Sequence, residues 1–302
     1  MGELPITEAD RNILLALSRY HYLTAAQASR LLYPSLYDEN RYMQRRLKKL
    51  VDGGHVLRLR ALPTPQYGQA PHVFTLHRRG REYLHGLGVK VLPYFRPSEE
   101  LRAAQNDPFM RHRLAAIDVL IAADSLCRNS AVTCPRLLIE RYLRRAALRV
   151  ELGTGGAVRR VAVIPDGWFQ LQPGNHPPIS IALELDRATE DQQVWRRKIA
   201  AYVVWAHGPY RRAFGTDNLT VAVVVPTDTR RDQLRLWTMR ELTTRGAPDL
   251  ADIFLFTAAS PVATPATDFF FGAFWYVPHQ AHPVRVLDLP QQRPGEVFRF
   301  SP

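Results

Sequence analysis

The feature that most constrains this chain is a change of hydrophobic period at Asp52-Gly53-Gly54. Upstream, apolar residues recur every three or four positions; immediately downstream, in HVLRLRAL, they alternate. The first spacing puts apolar side chains on one stripe of a helix, the second on one face of a strand. Glycine adopts the left-handed conformation that ends a helix at little cost. The chain therefore turns from helix to strand at this point.

Working outward from that point, Thr7 precedes ADRNILLALSRY, where Ile13, Leu14 and Leu17 share a helical face and Asp10 completes a capping pattern. Thr24 opens a second, short helix, AAQASRLLY. After Pro34 comes DENRYMQRRLKKL, with Tyr42, Leu47 and Leu50 expected inward and Arg41, Arg45, Arg46, Lys48 and Lys49 on or near the outward side. Beyond the glycines, residues 55–77 read as a hairpin around the proline-braced tip PTPQYGQAP. Three helices followed by a hairpin are the order of a winged helix-turn-helix.

A short closing helix over residues 81–90 and the proline-containing stretch VLPYFRPSEE place a domain boundary near 95, giving domains 1–95 and 96–302. The second begins with DPFMRHRLAAIDVLIAADSLCRN, an amphipathic helix over about 109–129. Strand-like runs follow in LLIERYL, AALRVEL, RRVAVIPDGWFQL, ISIALELD, LTVAVVVP and DIFLFTA, with helices from Thr189 to about Ala206 and around 229–244. An almost wholly apolar strand such as LTVAVVVP, flanked by helices, indicates a central sheet covered on both faces. The fold class expected is α/β for this domain and α+β for the whole. Gly153-Thr154-Gly155-Gly156 lies between two strand-like runs and reads as a hairpin turn, because a phosphate-cradling loop would lead into a helix. The aromatic segment FFFGAFWYVP at 269–278 reads as sheet or core, with an interface as the alternative.

Charge narrows the partner. Forty Lys+Arg against 28 Asp+Glu give a net charge of +12, and residues 1–95 alone hold fourteen basic and seven acidic residues. Such a surplus suits a polyanion. No run of eighteen apolar residues exists, and the N-terminus lacks a basic start followed by an apolar stretch, which favours nucleic acid over membrane and a cytoplasmic location. Cys127 and Cys134 lack the spacing of a disulfide framework or zinc site. In a recognition helix lying in the major groove, Asn and Gln read base edges while Arg and Lys bind both bases and phosphates. Asn40, Arg41, Gln44, Arg45 and Lys48 lie close to one helical face, and Arg58, Arg60 and the wing tip are placed to track the backbone of double-stranded DNA.

A second constellation lies downstream. Asp166 ends one apolar strand, in Ile164-Pro165-Asp166-Gly167, and Glu184 and Asp186 share a face of the next. Three neighbouring carboxylates repel unless a cation joins them, and Mg²⁺ or Mn²⁺ is the natural occupant. Thr189-Glu190-Asp191-Gln192 has the capping-box pattern, so a helix starts there, with Lys198 and Tyr202 on one face. A lysine aimed at the cluster orients water or stabilises charge developing on a phosphate. His112 and Glu140 are weaker candidates for the same cleft. There is no G-x-S-x-G or H-E-x-x-H, and no His-hydrophobe-His pair with a nearby tyrosine.

These residues resemble the PD-(D/E)xK nuclease superfamily. The order winged helix, long basic helix, IPDGWFQL, ALELDRATED and WRRKIAAY is similar to the replication-relaxation family of plasmid and mobile-element proteins over roughly residues 8–260. The resemblance implies a nuclease-like domain with a central mixed sheet flanked by helices. It makes Asp166 the aspartate of the first motif, Glu184 the acidic residue of the second, and Lys198 a lysine moved from strand to helix. It also implies DNA binding tied to plasmid replication or DNA relaxation, with a replication or mobilisation protein as partner. Two residues after Glu184, where the superfamily carries its lysine, stands Asp186. Three readings stay open at this level: a DNA-binding accessory protein with a nuclease-like platform, a metal-dependent endonuclease or nickase, and a transcriptional regulator whose second domain serves homodimerisation or ligand sensing.

Overall fold

The protein is described by a computed structural model covering residues 5–34, 39–60, 72–91, 98–99, 102, 107–154, 157–188 and 190–287. It divides into two compact units, 1–121 and 122–302. The sequence boundary near residue 95 falls outside the described residues, and the division itself falls within a long helix.

In the first unit, α1 (Glu8–Tyr20) starts from Thr7, whose hydroxyl accepts from the Asp10 N–H while the Thr7 N–H donates back to Asp10 Oδ2 at 3.1 Å. Thr24 and Gln27 form the same reciprocal cap on α2 (Ala25–Leu32). Between them lies β1 (Leu23–Thr24), too short for any periodicity to announce. After α3 (Glu39–Asp52), Gly54 takes φ +72° and the His55 N–H bonds the Leu50 carbonyl, which ends the helix. β2 (Val56–Arg60) and β3 (His72–Leu76) then pair antiparallel from Val56↔Leu76 to Arg60↔His72, giving a three-stranded sheet of order β1-β3-β2. This is the winged helix-turn-helix order; the wing tip, residues 61–71, lies outside the described residues.

The closing helix, α4 (Arg78–Gly86), begins three residues earlier than its pattern suggested. Gly80 explains its position: a Cβ there would lie 2.2 Å from the His55 carbonyl oxygen, so only glycine lets the helix approach the start of β2. The long helix α5 (Asp107–Asn129) is bound to the same unit by Gln27 Nε2, which donates to the Leu114 carbonyl at 2.8 Å and to Asp118 Oδ1 at 3.0 Å, and by an Arg30–Asp118 ion pair. Burial raises the Asp118 pKa, while Gln27 and Arg30 oppose the shift. Over residues 116–123 the helix is buried on nearly every side, not along one stripe as its pattern suggested.

In the second unit, β4 (Val132–Thr133) and β5 (Leu137–Ile139) pair with β8 (Gly167–Pro173), and β9 (Ile179–Leu185), β10 (Thr220–Val224) and β11 (Phe254–Thr257) complete a mixed sheet of order β11-β10-β9-β8. β9, β10 and β11 are parallel, whereas β8 runs antiparallel to β9. The apolar strands are buried on both faces, as a sheet between helices requires. The run LLIERYL does not continue as strand: after Ile139 the chain enters α6 (Glu140–Arg145), which is supported by an Arg144–Glu140 pair one turn apart. β6 (Leu148–Thr154) and β7 (Ala157–Val163) form a separate ribbon paired as far as Thr154↔Ala157; residues 155–156 of the expected turn lie outside the described residues.

The helix expected from Thr189 is α7 (Gln192–Ala206), capped instead by Asp191, whose carboxylate accepts from the Val194 N–H at 2.8 Å. Thr189 itself lies outside the described residues. α8 (Pro209–Phe214) follows, then α9 (Asp228–Thr244), which packs on α7 through a Trp195 Nε1 to Thr238 Oγ1 bond of 2.9 Å and an Arg196–Glu241 pair at 2.5 Å. The aromatic segment is largely core: Phe269 and Phe270, on α10 (Ala266–Phe271), and Trp275 are buried and Tyr276 bridges to Phe256, whereas Phe274 is exposed.

Candidate functional site

The helical period of α3 sorts its side chains sharply. Met43, Leu47 and Leu50 are buried, while Asn40, Arg41, Gln44, Arg45 and Lys48 are exposed. Tyr42, expected inward, is half-buried and meets Tyr33 edge-on at 5.4 Å; Met43 takes the core position. Arg46 and Lys49 are likewise not part of the outward face. Arg46 pairs with the wholly buried Asp10 at 2.6 Å and Lys49 with it at 3.6 Å, so both anchor α3 to the capped start of α1. Lys48 pairs with Asp52 at 2.6 Å, but both are largely exposed, and such a pair is weak enough to yield to a phosphate. Arg58 is exposed on β2; the side chain of Arg60 and the wing tip lie outside the described residues.

The carboxylate constellation has assembled differently from its expected form. Asp166 follows β7; its backbone N–H bonds the Leu183 carbonyl and its Oδ2 accepts from the Leu185 N–H at 2.8 Å, which fixes it beside the end of β9. Glu184 is buried, with Oε2 bound to Lys198 Nζ at 2.8 Å and Oε1 to the Tyr202 hydroxyl. Lys198 also binds Glu190 at 2.8 Å. Burial pushes the Glu184 carboxyl up to about 7; Lys198 draws it down and Asp166 adds to the rise. Burial alone would depress Lys198, but Glu184, Glu190 and Asp166 together hold it above the usual lysine range. Burial, reinforced by Glu184, raises the Tyr202 phenol well above its ordinary value.

Asp186 was expected as a third metal ligand, and here the structure differs. Its Oδ2 and Oδ1 accept from Arg230 Nε at 2.6 Å and Nη2 at 3.0 Å, a two-pronged pair in which both residues are buried. Asp186 Oδ2 also accepts from the Ala188 N–H at 3.0 Å. Thus Glu184 has both oxygens occupied by Lys198 and Tyr202, and Asp186 has both occupied by Arg230. Among the described residues no group of three or more His, Cys, Asp or Glu is arranged to hold a metal ion. The donors present do not fit Mg²⁺ or Mn²⁺ in this arrangement, because the protein's own cations already neutralise them. His112 belongs to the first unit, and Glu140 is bound to Arg144 of its own helix.

Two participants were missed. Glu190 was legible only as part of a capping pattern. Arg230 left a subtler signal: it sits in the first turn of α9, where the helix dipole disfavours a cation, so a buried arginine there requires a carboxylate nearby.

The family model described as replication-relaxation matches residues 14–219, from α1 through the second unit to just before β10. The chain belongs to the replication-relaxation family. Within this replication-relaxation protein, the matched span holds α3, Asp166, Glu184, Asp186 and Lys198 but not Arg230. Among solved structures, the chain is similar to a crystal structure of Bacillus subtilis PadR in complex with operator DNA, at 17% identity and a TM-score of 0.23, over 41% of this chain and 70% of that one. The winged-helix assignment therefore rests on this chain's own element and strand order. No curated protein matches the chain. Among the described residues, no helix is long and apolar enough to cross a membrane.

Proposed function

We propose that this replication-relaxation protein binds double-stranded DNA through α3 and its wing, and so brings its second, nuclease-like domain to a plasmid or mobile-element locus where replication or DNA relaxation proceeds. One observation carries the reading: Asn40, Arg41, Gln44, Arg45 and Lys48 occupy the exposed face of α3, opposite the buried Met43, Leu47 and Leu50. That face offers amides for base edges and cations for phosphates on an element that fits the major groove. Arg58, exposed on β2, extends it toward the flanking backbone. The anchoring of Arg46 and Lys49 to Asp10 supports the same reading, since it holds α3 in one orientation before DNA arrives.

In this reading the Asp166, Glu184, Asp186, Lys198 and Arg230 group is an internal ion-pair network that ties β9 to α7 and α9, and the second domain acts as a platform in the cytoplasm for a replication or mobilisation protein. The test is a titration of labelled duplex across a series of salt concentrations. Wild-type affinity should fall steeply with salt as phosphate contacts release counterions. Arg45→Ala and Lys48→Ala should each weaken binding; unchanged binding in both would refute the recognition-helix assignment. Incubating supercoiled plasmid with Mg²⁺ or Mn²⁺ addresses the nickase reading. Nicking that disappears in Asp166→Ala and Lys198→Ala would show that the network opens to take up metal.

A further inference from the structure

We propose that the second unit makes its own contact with the phosphate backbone of duplex DNA, through a basic ribbon made of β6, β7 and the end of α6. The proposal rests on the duplex-binding reading above and adds a second point of attachment to it. β6 and β7 pair with each other and stand apart from the central sheet. Alternation gives the ribbon two unlike faces. Val150 and Val163 are buried in the core beneath it, with Leu148, Leu152 and Val161 packed alongside. Arg149, Glu151 and Arg160 lie on the opposite face and are exposed.

Arg160 stands directly opposite Glu151, and Arg149 is its diagonal neighbour across the strands, within reach of the same phosphate run. Arg159 pairs across from Leu152 and so shares the register of the inner face, but near the far end of the ribbon it is exposed. Just upstream, Arg144 and Arg145 close α6 on exposed positions. Among the described residues, two carboxylates answer these five arginines: Glu140 binds Arg144, and Glu151 binds Arg160 at 3.0 Å. Among the described residues, no carboxylate pairs Arg145, Arg149 or Arg159. Like charges gathered on one ribbon oppose folding, so an external anion is the natural complement. Guanidinium groups match phosphate in shape and donate two bonds at once. With the apolar inner face of the ribbon packed on the core, contact is made from the outer face and, through the exposed Arg159, from the far end of the ribbon. It therefore supplies strength and carries no base information.

The experiment uses the full chain with Arg145→Gln, Arg149→Gln and Arg159→Gln combined, beside Arg41→Ala with Arg45→Ala and the wild type. Each protein is titrated with a labelled duplex and a scrambled duplex at several salt concentrations. Vesicles containing phosphatidylserine are titrated in parallel. Three lost phosphate contacts should lower the slope of log affinity against log salt by about 2–3 and weaken both duplexes on the order of tenfold at low salt. The thermal melt should not fall and should rise slightly if anything, since these side chains lie on the surface and their mutual repulsion is relieved. Wild-type slope and affinity in the ribbon variant, or a loss confined to vesicles, would overturn the proposal. Weakening in the ribbon variant with none in the α3 variant would uphold it while removing the recognition-helix reading. No duplex binding by the wild type would remove both.

Discussion

Glu184 sits where burial opposes its charge more than Lys198 and Tyr202 support it. Its carboxyl titrates near 4.5 in the unfolded chain and about 7 in the fold. Between those values the folded protein keeps a proton that the unfolded chain has released, so raising the pH across that window weakens the fold. The melting temperature should fall from pH 4.5 to 7, and Glu184→Gln should flatten that slope; an equally steep slope in the variant would deny the shift. Lys198 behaves oppositely: held above its ordinary 10.5, its charge stabilises the fold below that value and is lost only in strong alkali. Arg230 and Asp186 form the most deeply buried ion pair of the site, with side chains 9% and 1% exposed. Removing one member of such a pair strands the other charge, at about 3–5 kcal/mol. Arg230→Met should lose about that much in urea unfolding, and adding Asp186→Leu should recover a large part; no recovery would mean that Arg230 acts mainly through its bonds to Gln233 and the Glu190 carbonyl.

At the scale of elements, α1 and α3 meet through Asp10, which both caps α1 and receives Arg46 and Lys49. Asp10→Ala removes the returning half of the cap, the bond from the Thr7 N–H, and leaves two cations without their carboxylate, while the Thr7 hydroxyl still accepts from the backbone of residue 10; a urea or thermal melt should show a loss of stability. Duplex affinity should fall in the same variant, although Asp10 is buried and touches no DNA, because α3 loses its fixed orientation. A stability loss with unchanged affinity would separate the two effects. Gly80→Ala should destabilise the first unit by about 1–3 kcal/mol, since the new Cβ meets backbone that cannot swing aside. A thermal melt reads it directly.

For the whole molecule, two features matter: a basic surface and a set of carboxylates already neutralised from within. The net charge of +12 belongs with a steep salt dependence of DNA binding. The filled carboxylate site belongs with indifference to metal. Addition of Mg²⁺ or of a chelator should leave the melting temperature unchanged, because a ligand that binds only the folded state would raise it. A rise with Mg²⁺ would mean that Arg230 and Lys198 give way to the ion.

The amino-acid sequence by itself determined the winged-helix order, the exposed face of α3 and the succession of strands that builds the mixed sheet, because these rest on local period, caps and turns. Helix ends drifted where the sequence offers two capping candidates, as with Thr189 and Asp191, of which Asp191 caps α7, and the two-residue β1 left no period to read. It also brought Asp166, Glu184 and Lys198 together as candidates, since strand alternation and helical spacing are short-range rules. What joined them was decided only in three dimensions. Arg230 lies 44 residues from Asp186 in the chain, yet the β9-α7-β10-α9 crossover returns it to the end of β9. Which cation neutralises a buried carboxylate depends on which helix packs over it, and no spacing along the chain records that.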